Sequence, residues 1–213
     1  MKNKRYTIFF LVFSILTALS IPFSALLPTE DEAHIYDNVI RLHVIANSDS
    51  DEDQALKLKV RDSILSTAAK SVEKCGDFES AKNSLIVALE ELKAAAEAAV
   101  IGNGYDYPVE VTLTRENYPT KEYRGITLPA GEYTSLRVLI GNAAGHNWWC
   151  VLFPQLCVVT ASGKNADLEI IDDTEPLVEA GLTKGQIELI TGDSPRTVVK
   201  FRLLEWIKNL RSH

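Results

Sequence analysis

Residues 141–157 read GNAAGHNWWCVLFPQLC, the stretch of the chain that is richest in large and chemically special side chains. It holds two of the three tryptophans, two of the three cysteines and a histidine. Adjacent residues of a strand point to opposite faces, so Trp148 and Trp149 can both be buried only where the segment is covered on two sides. The stretch therefore predicts either a buried structural turn closed by a disulfide or a functional loop with His146 and a cysteine as reactive groups.

The segments before this stretch predict one strand followed by two helices. Residues 39–46 (VIRLHVIA) alternate as in a half-buried strand, which places Arg41 and His43 on the solvent side. Residues 52–71 and 78–100 have the apolar spacing of amphipathic helices. Ser50 or Asp51 would cap the first helix and Asp77 the second. On the first helix, Lys57, Lys59 and Arg61 are expected to cover the solvent side.

Alternating runs then predict strands and a final helix. Residues 109–114 form one strand, and residues 123–128 and 133–140 form a hairpin across the turn signal PAGE. Residues 176–180 are expected to form a short helix, and residues 198–210 an amphipathic closing helix. These elements indicate an α+β fold, a two-layer domain with an antiparallel sheet packed on helices.

The acidic loop at residues 47–53 (NSDSDED) allows two interpretations. Alternating carboxylates can supply oxygen ligands to calcium. The loop lacks the glycine and the late glutamate of a calcium-binding loop, and it leads directly into a helix. Capping of that helix is therefore favoured, and the sequence predicts neither a metal nor a cofactor.

The N-terminus indicates export. Lys2, Lys4 and Arg5 precede an apolar run at residues 8–27, so residues 1–28 are expected to be a signal peptide or membrane-anchoring helix. Residues 29–213 would form the exported domain, with residues 162–197 as a variable surface excursion. Loss of residues 1–27 removes three positive charges from a formal net charge of −7, which leaves −10. This acidic balance argues against nucleic acid as a partner.

The cysteines fit an exported domain. Cys150 and Cys157 are seven positions apart, and outside the cytoplasm this spacing predicts a small disulfide loop. Cys75 is then expected to remain a free thiol.

The same stretch also predicts a binding surface. Interface hot spots are enriched in tryptophan and lie beside rigid support. We therefore expect His146, Asn147, Trp148 and Trp149 to contact a partner, while the disulfide loop holds them in shape. The competing interpretation places both tryptophans in the core.

Several motifs resemble the stage II sporulation protein R family of endospore-forming bacteria. They are residues 39–50 (VIRLHVIANSDS), 53–62 (DQALKLKVRD), 123–125 (YRG), 128–133 (LPAGEY), 136–138 (LRV), 145–154 (GHNWWCVLFP) with Leu156 and Cys157, and 201–206 (FRLLEW).

The resemblance implies a signalling role in sporulation and no enzymatic activity. Such a protein is made in the forespore, is exported across its membrane into the intermembrane space, and activates a membrane-embedded aspartic-type receptor protease. That protease then processes the mother-cell pro-sigma factor. The alternative is an exported hydrolase or thiol enzyme that uses His146 and Cys150.

Export can be tested directly. A fusion of residues 1–40 to a reporter that is active only outside the membrane should give signal, because the positive residues and the apolar run form an export signal. Lys2→Glu, Lys4→Glu and Arg5→Glu together should reduce the signal. A silent reporter at normal expression would contradict the prediction.

Overall fold

The structure is a computed structural model that describes residues 34–123, 126–157 and 175–192. After a 3-10 helix at His34–Asp37, the strands are β1 (Ile40–Ile45), β2 (Val109–Tyr118), β3 (Lys121–Tyr123), β4 (Ile126–Leu128), β5 (Gly131–Ile140) and β6 (Asn147–Phe153). The helices are α1 (Asp51–Val72), α2 (Phe78–Val87), α3 (Leu89–Gly102), α4 (Glu175–Glu179) and α5 (Lys184–Thr191).

The main sheet is mixed, with the strand order β2-β5-β1-β6. β1 is parallel to β5 and antiparallel to β6, and β2 is antiparallel to β5. The α+β class is confirmed, but the expected antiparallel sheet is corrected to a mixed one. Three helices and three strands lie between β1 and β5, and so long a connection allows two strands to run in parallel.

The predicted hairpin between residues 123–128 and 133–140 is wrong. β4 pairs with β3 in a separate two-stranded sheet, from Lys121↔Leu128 to Tyr123↔Ile126. β5 instead pairs with β2 along its whole length, from Val109↔Ile140 to Tyr118↔Gly131. The longer pairing satisfies more backbone hydrogen bonds, so the short β3–β4 unit is an insertion between two long strands.

β1 is buried on both faces, which overturns the prediction of a half-buried strand. Arg41 is 0% exposed and His43 is 6% exposed. On the other face, Leu42 and Val44 belong to the core shared with α1 and α3. The 3-10 helix packs against β5, so part of the second face is also covered. The alternation of apolar and polar residues in the sequence could not show that the second face of β1 is also covered.

The helices begin at the predicted caps. Ser50 Oγ accepts the Asp53 N–H at the start of α1, and Asp77 and Ser80 form a capping box at the start of α2. The single helix predicted over residues 78–100 is interrupted at Ala88, where ψ is 0°. No glycine or proline marks this position, which explains why the sequence did not indicate a break.

Several predicted segments lie outside the described residues: the leader at 1–28, the closing helix at 198–210 and most of the excursion at 162–197. Within that excursion, α4 confirms the short helix near residues 176–180. None of the helices in the described ranges is long and apolar enough to cross a bilayer.

The central position of β1 predicts a large cost for truncating it. Leu42 is 0% exposed, so Leu42→Ala should lower the free energy of unfolding by about 2–5 kcal/mol. Val87 is 87% exposed, and Val87→Ala should change it by less than about 0.5 kcal/mol. Urea denaturation of both variants checks the difference, and equal losses would contradict the core assignment.

Candidate functional site

Two loops dock against each other at the start of β6 and form a rigid platform. The Ala144 N–H donates to Asn47 O at 3.1 Å, and the Gly145 N–H donates to Ala46 O at 3.0 Å. A Cβ on Gly145 would overlap the carbonyl group of Ser48, so only glycine allows this close approach. The platform therefore consists of residues 141–146 and 46–50.

Asp49 holds His146 on this platform. The Asp49 Oδ1 accepts the His146 backbone N–H at 2.6 Å and lies 2.5 Å from the imidazole Nδ1. The His146 side chain is nonetheless 76% exposed. His146 is therefore both fixed in place and accessible to a partner, as its predicted role requires.

Asp53 stabilises one of the two loops of the platform. Its carboxylate is buried and accepts hydrogen bonds from Ser48 Oγ at 2.5 Å and Asn47 Nδ2 at 2.8 Å. The hydrogen bond from Ser48 lowers the pKa of Asp53, burial opposes this, and bonds from Asn47 and Tyr107 lower it further, so the net shift is downward. The acidic loop thus organises the polypeptide, and no candidate metal cluster occurs among the residues the structure covers.

Trp148 faces the helices. It pairs in register with Val44, and the Arg61 guanidinium lies 4.4 Å from the centre of its ring, in cation–π contact. Trp148 is partly exposed, whereas Arg61 is 4% exposed, so Arg61 does not lie on the solvent side as predicted. The Trp148 Nε1 is buried and has no hydrogen-bond partner within the described chain.

Lys57 is also buried, at 4% exposed, which corrects its predicted solvent-side position. Its Nζ donates to Gln54 Oε1 at 2.6 Å and to His146 O at 2.9 Å. Burial lowers the pKa of Lys57, and Arg61 lowers it further, while Asp49 acts in the opposite direction. Lys57 therefore ties α1 to the backbone of the platform.

Trp149 faces the opposite side of the sheet and covers His43. The two rings stack with centroids 3.9 Å apart and an interplanar angle of 15°. His43 Nδ1 lies 3.2 Å from Glu116 Oε1, and His43 Nε2 lies 2.9 Å from Asn147 Oδ1. His43 is therefore not a solvent-side residue, because it positions both Asn147 and Trp149.

Glu116, which lies beside His43, remains an ionised carboxylate. Burial would raise its pKa, but hydrogen bonds from His43 and Ser135 and Coulombic attraction to His43 and Arg137 bring the pKa below the ordinary value of a glutamate. The Arg137 Nε lies 3.4 Å from Glu116 Oε1.

Arg41 is the residue that sequence reasoning missed most completely. Its guanidinium lies over the rings of Tyr118, Tyr133 and Tyr123, at 4.3, 5.0 and 5.5 Å from their centres. It also donates to Cys150 O at 3.2 Å and to Tyr123 OH at 2.5 Å. Burial raises the pKa of all three phenols, so the rings stay neutral. An arginine in an apolar strand was the available signal.

Cys150 and Cys157 form a disulfide with Cα atoms 6.4 Å apart. The Val151 N–H donates to Cys157 Sγ at 3.0 Å, which ties the loop to β6. Cys75 is free and partly buried, with its Sγ 3.4 Å from Ser84 Oγ. Cys150 is 0% exposed, so it offers neither a thiol nor access to a substrate.

A groove of about 500 Å³ lies near the free thiol. Its lining includes Cys75, Phe153, Pro154 and Gln155, but none of the four predicted interaction residues. No histidine is among the described residues that line it, so these residues do not provide the base that a cysteine nucleophile requires.

Comparisons with known proteins agree on one family. The family model described as stage II sporulation protein R matches residues 36–163. The protein named "Stage II sporulation protein R" in Bacillus subtilis (strain 168) is 37% identical over 187 residues, which cover 84% of each chain. No solved structure matches.

The ionised state of Glu116 predicts a pH-dependent contribution to stability. Because its folded pKa is lower than that of a glutamate in the unfolded chain, Glu116 should stabilise the fold fully above the unfolded pKa of about 4.3. This contribution should be lost as the pH falls through the folded pKa. Urea denaturation should therefore separate wild type from Glu116→Gln near neutral pH and bring them together at low pH. The exposed Glu79→Gln is the control, and a gap that does not change with pH would contradict the prediction.

Proposed function

Because the chain belongs to the stage II sporulation protein R family, we propose that it acts in sporulation as an exported signal that activates a receptor protease. The receptor is a membrane-embedded, aspartic-type protease that processes the mother-cell pro-sigma factor. The signal crosses the forespore membrane and acts in the intermembrane space, either free or anchored through residues 1–28. This partner and this location follow from the family resemblance.

The disulfide supports the proposal that the protein is exported. Disulfides form and persist mainly in oxidising compartments. The Cys150–Cys157 disulfide lies beside the platform, where it fixes the strand that carries Trp148 and Trp149. The positive and apolar pattern of the N-terminus points to the same compartment.

A preformed exposed surface carries the proposal. His146 and Asn147 are exposed, and Trp148 and Trp149 are partly exposed, at one end of a strand held by Asp49, Lys57 and His43. The exposed side chains are thus already ordered before a partner arrives. Preorganisation reduces the entropy lost on binding, so this arrangement suits recognition.

A thiol enzyme fits the same residues less well. Cys150 is oxidised and buried, and the His146 imidazole is paired with Asp49 on the exposed platform. A nucleophilic mechanism would need a free thiolate close to the base. The arrangement therefore supports binding rather than catalysis.

Reconstitution tests the proposal. The receptor protease in proteoliposomes should cleave itself when the exported form of this protein, purified after secretion, is added on the matching side. Protein with its disulfide reduced is a second sample, and it should activate less because the β6 support is lost. An unresponsive receptor that can be activated by other means would contradict the proposal.

His146 gives the sharpest single-residue prediction. His146→Ala should leave the melting temperature almost unchanged, because the side chain is exposed, while receptor activation falls at least about tenfold. His34→Ala is a matched control, since His34 is 69% exposed and pairs with Asp37. Equal activation by both variants would remove His146 from the contact surface.

Trp148 separates a contact role from a core role. Trp148→Phe keeps a ring beneath Arg61 and should preserve most stability, yet it removes the indole N–H and should reduce activation. A variant that loses activity only in proportion to its unfolded fraction would assign Trp148 to the core.

A further inference from the structure

The two tryptophans cannot be reached by a flat partner surface. Trp148 packs beneath Arg61 on the helix side of the sheet, and Trp149 stacks on His43 on the other side. What they share is one stretch of backbone at the start of β6. A partner that touches both tryptophans must therefore lie along this stretch of strand.

Within the described residues, the backbone of this stretch has one unpaired edge. Among the described strands, β6 pairs only with β1. The Val151 N–H bonds to Cys157 Sγ, outside the sheet, and N–H directions alternate along an antiparallel strand. The N–H groups of Trp149 and Asn147 therefore point away from β1. Because the disulfide loop covers β6 at Val151, the available edge is limited to Asn147–Trp149.

The side chains around Trp148 indicate the chemistry of the partner. The buried Trp148 Nε1 is a donor that finds no acceptor in the described residues. Lys57 donates only to neutral oxygens, those of Gln54 and His146, among the described contacts. Arg61 pairs with Asp62 and lies over the indole ring. Lys57 and Arg61 are each only 4% exposed, whereas Trp148 is partly exposed. A carboxylate beside the exposed part of the indole would therefore be attracted by two nearby buried cations without contacting them directly.

We infer that an extended segment of the partner adds a short antiparallel or parallel strand to β6 at Asn147–Trp149 and places an acidic side chain beside Trp148. Successive side chains of an added strand alternate between the two faces, so one segment can contact Trp148 and Trp149 in turn. This inference rests on the proposed function, because the receptor protease is taken as the source of the segment.

Hydrogen exchange tests the edge itself. In the free, full exported protein the amides of Asn147 and Trp149 should exchange quickly, and binding of receptor protease in nanodiscs should slow them at least about tenfold. The Trp148 amide, which points to β1, is the internal reference. Slow exchange in the free protein would mean that the edge is already paired, and it would overturn the inference. So would bound receptor without protection of Trp149.

Two substitutions at one position test the backbone contact. Asn147→Ala and Asn147→Pro both remove the contact with His43, but only proline also removes the outward N–H. Proline is tolerated at the first residue of an edge strand. Receptor affinity should be at least about tenfold weaker for Asn147→Pro than for Asn147→Ala. Equal affinities would overturn the strand addition, and the exchange experiment covers the case in which the proline variant does not fold.

Removing a positive charge near Trp148 tests for the inferred acidic side chain of the partner. Lys57→Gln keeps a donor near His146 O but removes the positive charge, and it should weaken receptor binding more at low than at high ionic strength. Lys59→Gln, on the exposed side of α1, is the control. A loss independent of salt, or equal in both variants, would overturn the acidic contact.

These outcomes distinguish the proposed function from the strand addition. Wild type that neither binds nor triggers the receptor would defeat the proposed function and this inference together. Wild type that triggers the receptor while the Trp149 amide stays unprotected would defeat strand addition alone.

Discussion

The burial of a charged guanidinium in the central strand is the constraint on which the rest of the sheet depends. A buried charge is costly unless aromatic faces or hydrogen-bond acceptors compensate it. Around Arg41 this compensation comes from the rings of three tyrosines and from the carbonyl of Cys150. Tyr118, Tyr123 and Tyr133 come from β2, β3 and β5, and Cys150 comes from β6. One side chain of β1 thus connects every neighbouring strand of the sheet and the inserted hairpin.

On the same face of β1, Arg41 stabilises the sheet, whereas the neighbouring His43 positions residues that lie at the surface. His43 links Glu116 on β2 with Asn147 and Trp149 on β6, and these two residues reach the surface. On the opposite face, α1 supplies Arg61 and Lys57 to Trp148 and to the platform backbone. The exposed end of β6 is therefore braced from both faces of the sheet, and this bracing is the physical basis for treating it as a recognition element.

The sequence indicated the local elements well because they depend on local physics. The caps at Ser50 and Asp77 and the spacing of α1 come from neighbouring residues, and the structure confirms them. The opposed directions of Trp148 and Trp149 follow from strand geometry alone. Pairing was harder, because the choice of β2 rather than β4 as the partner of β5 depends on residues far apart in the chain.

By itself the sequence determined the α+β class, the capped starts of α1 and α2, and the family. Only the tertiary structure decided that Arg41, His43, Lys57 and Arg61 are buried. A polar residue in an alternating pattern normally faces water, and the pattern cannot show that other strands supply tyrosines or a carboxylate instead. Burial of a polar side chain depends on partners brought together by the fold, so it cannot be read from the periodicity of a single strand or helix.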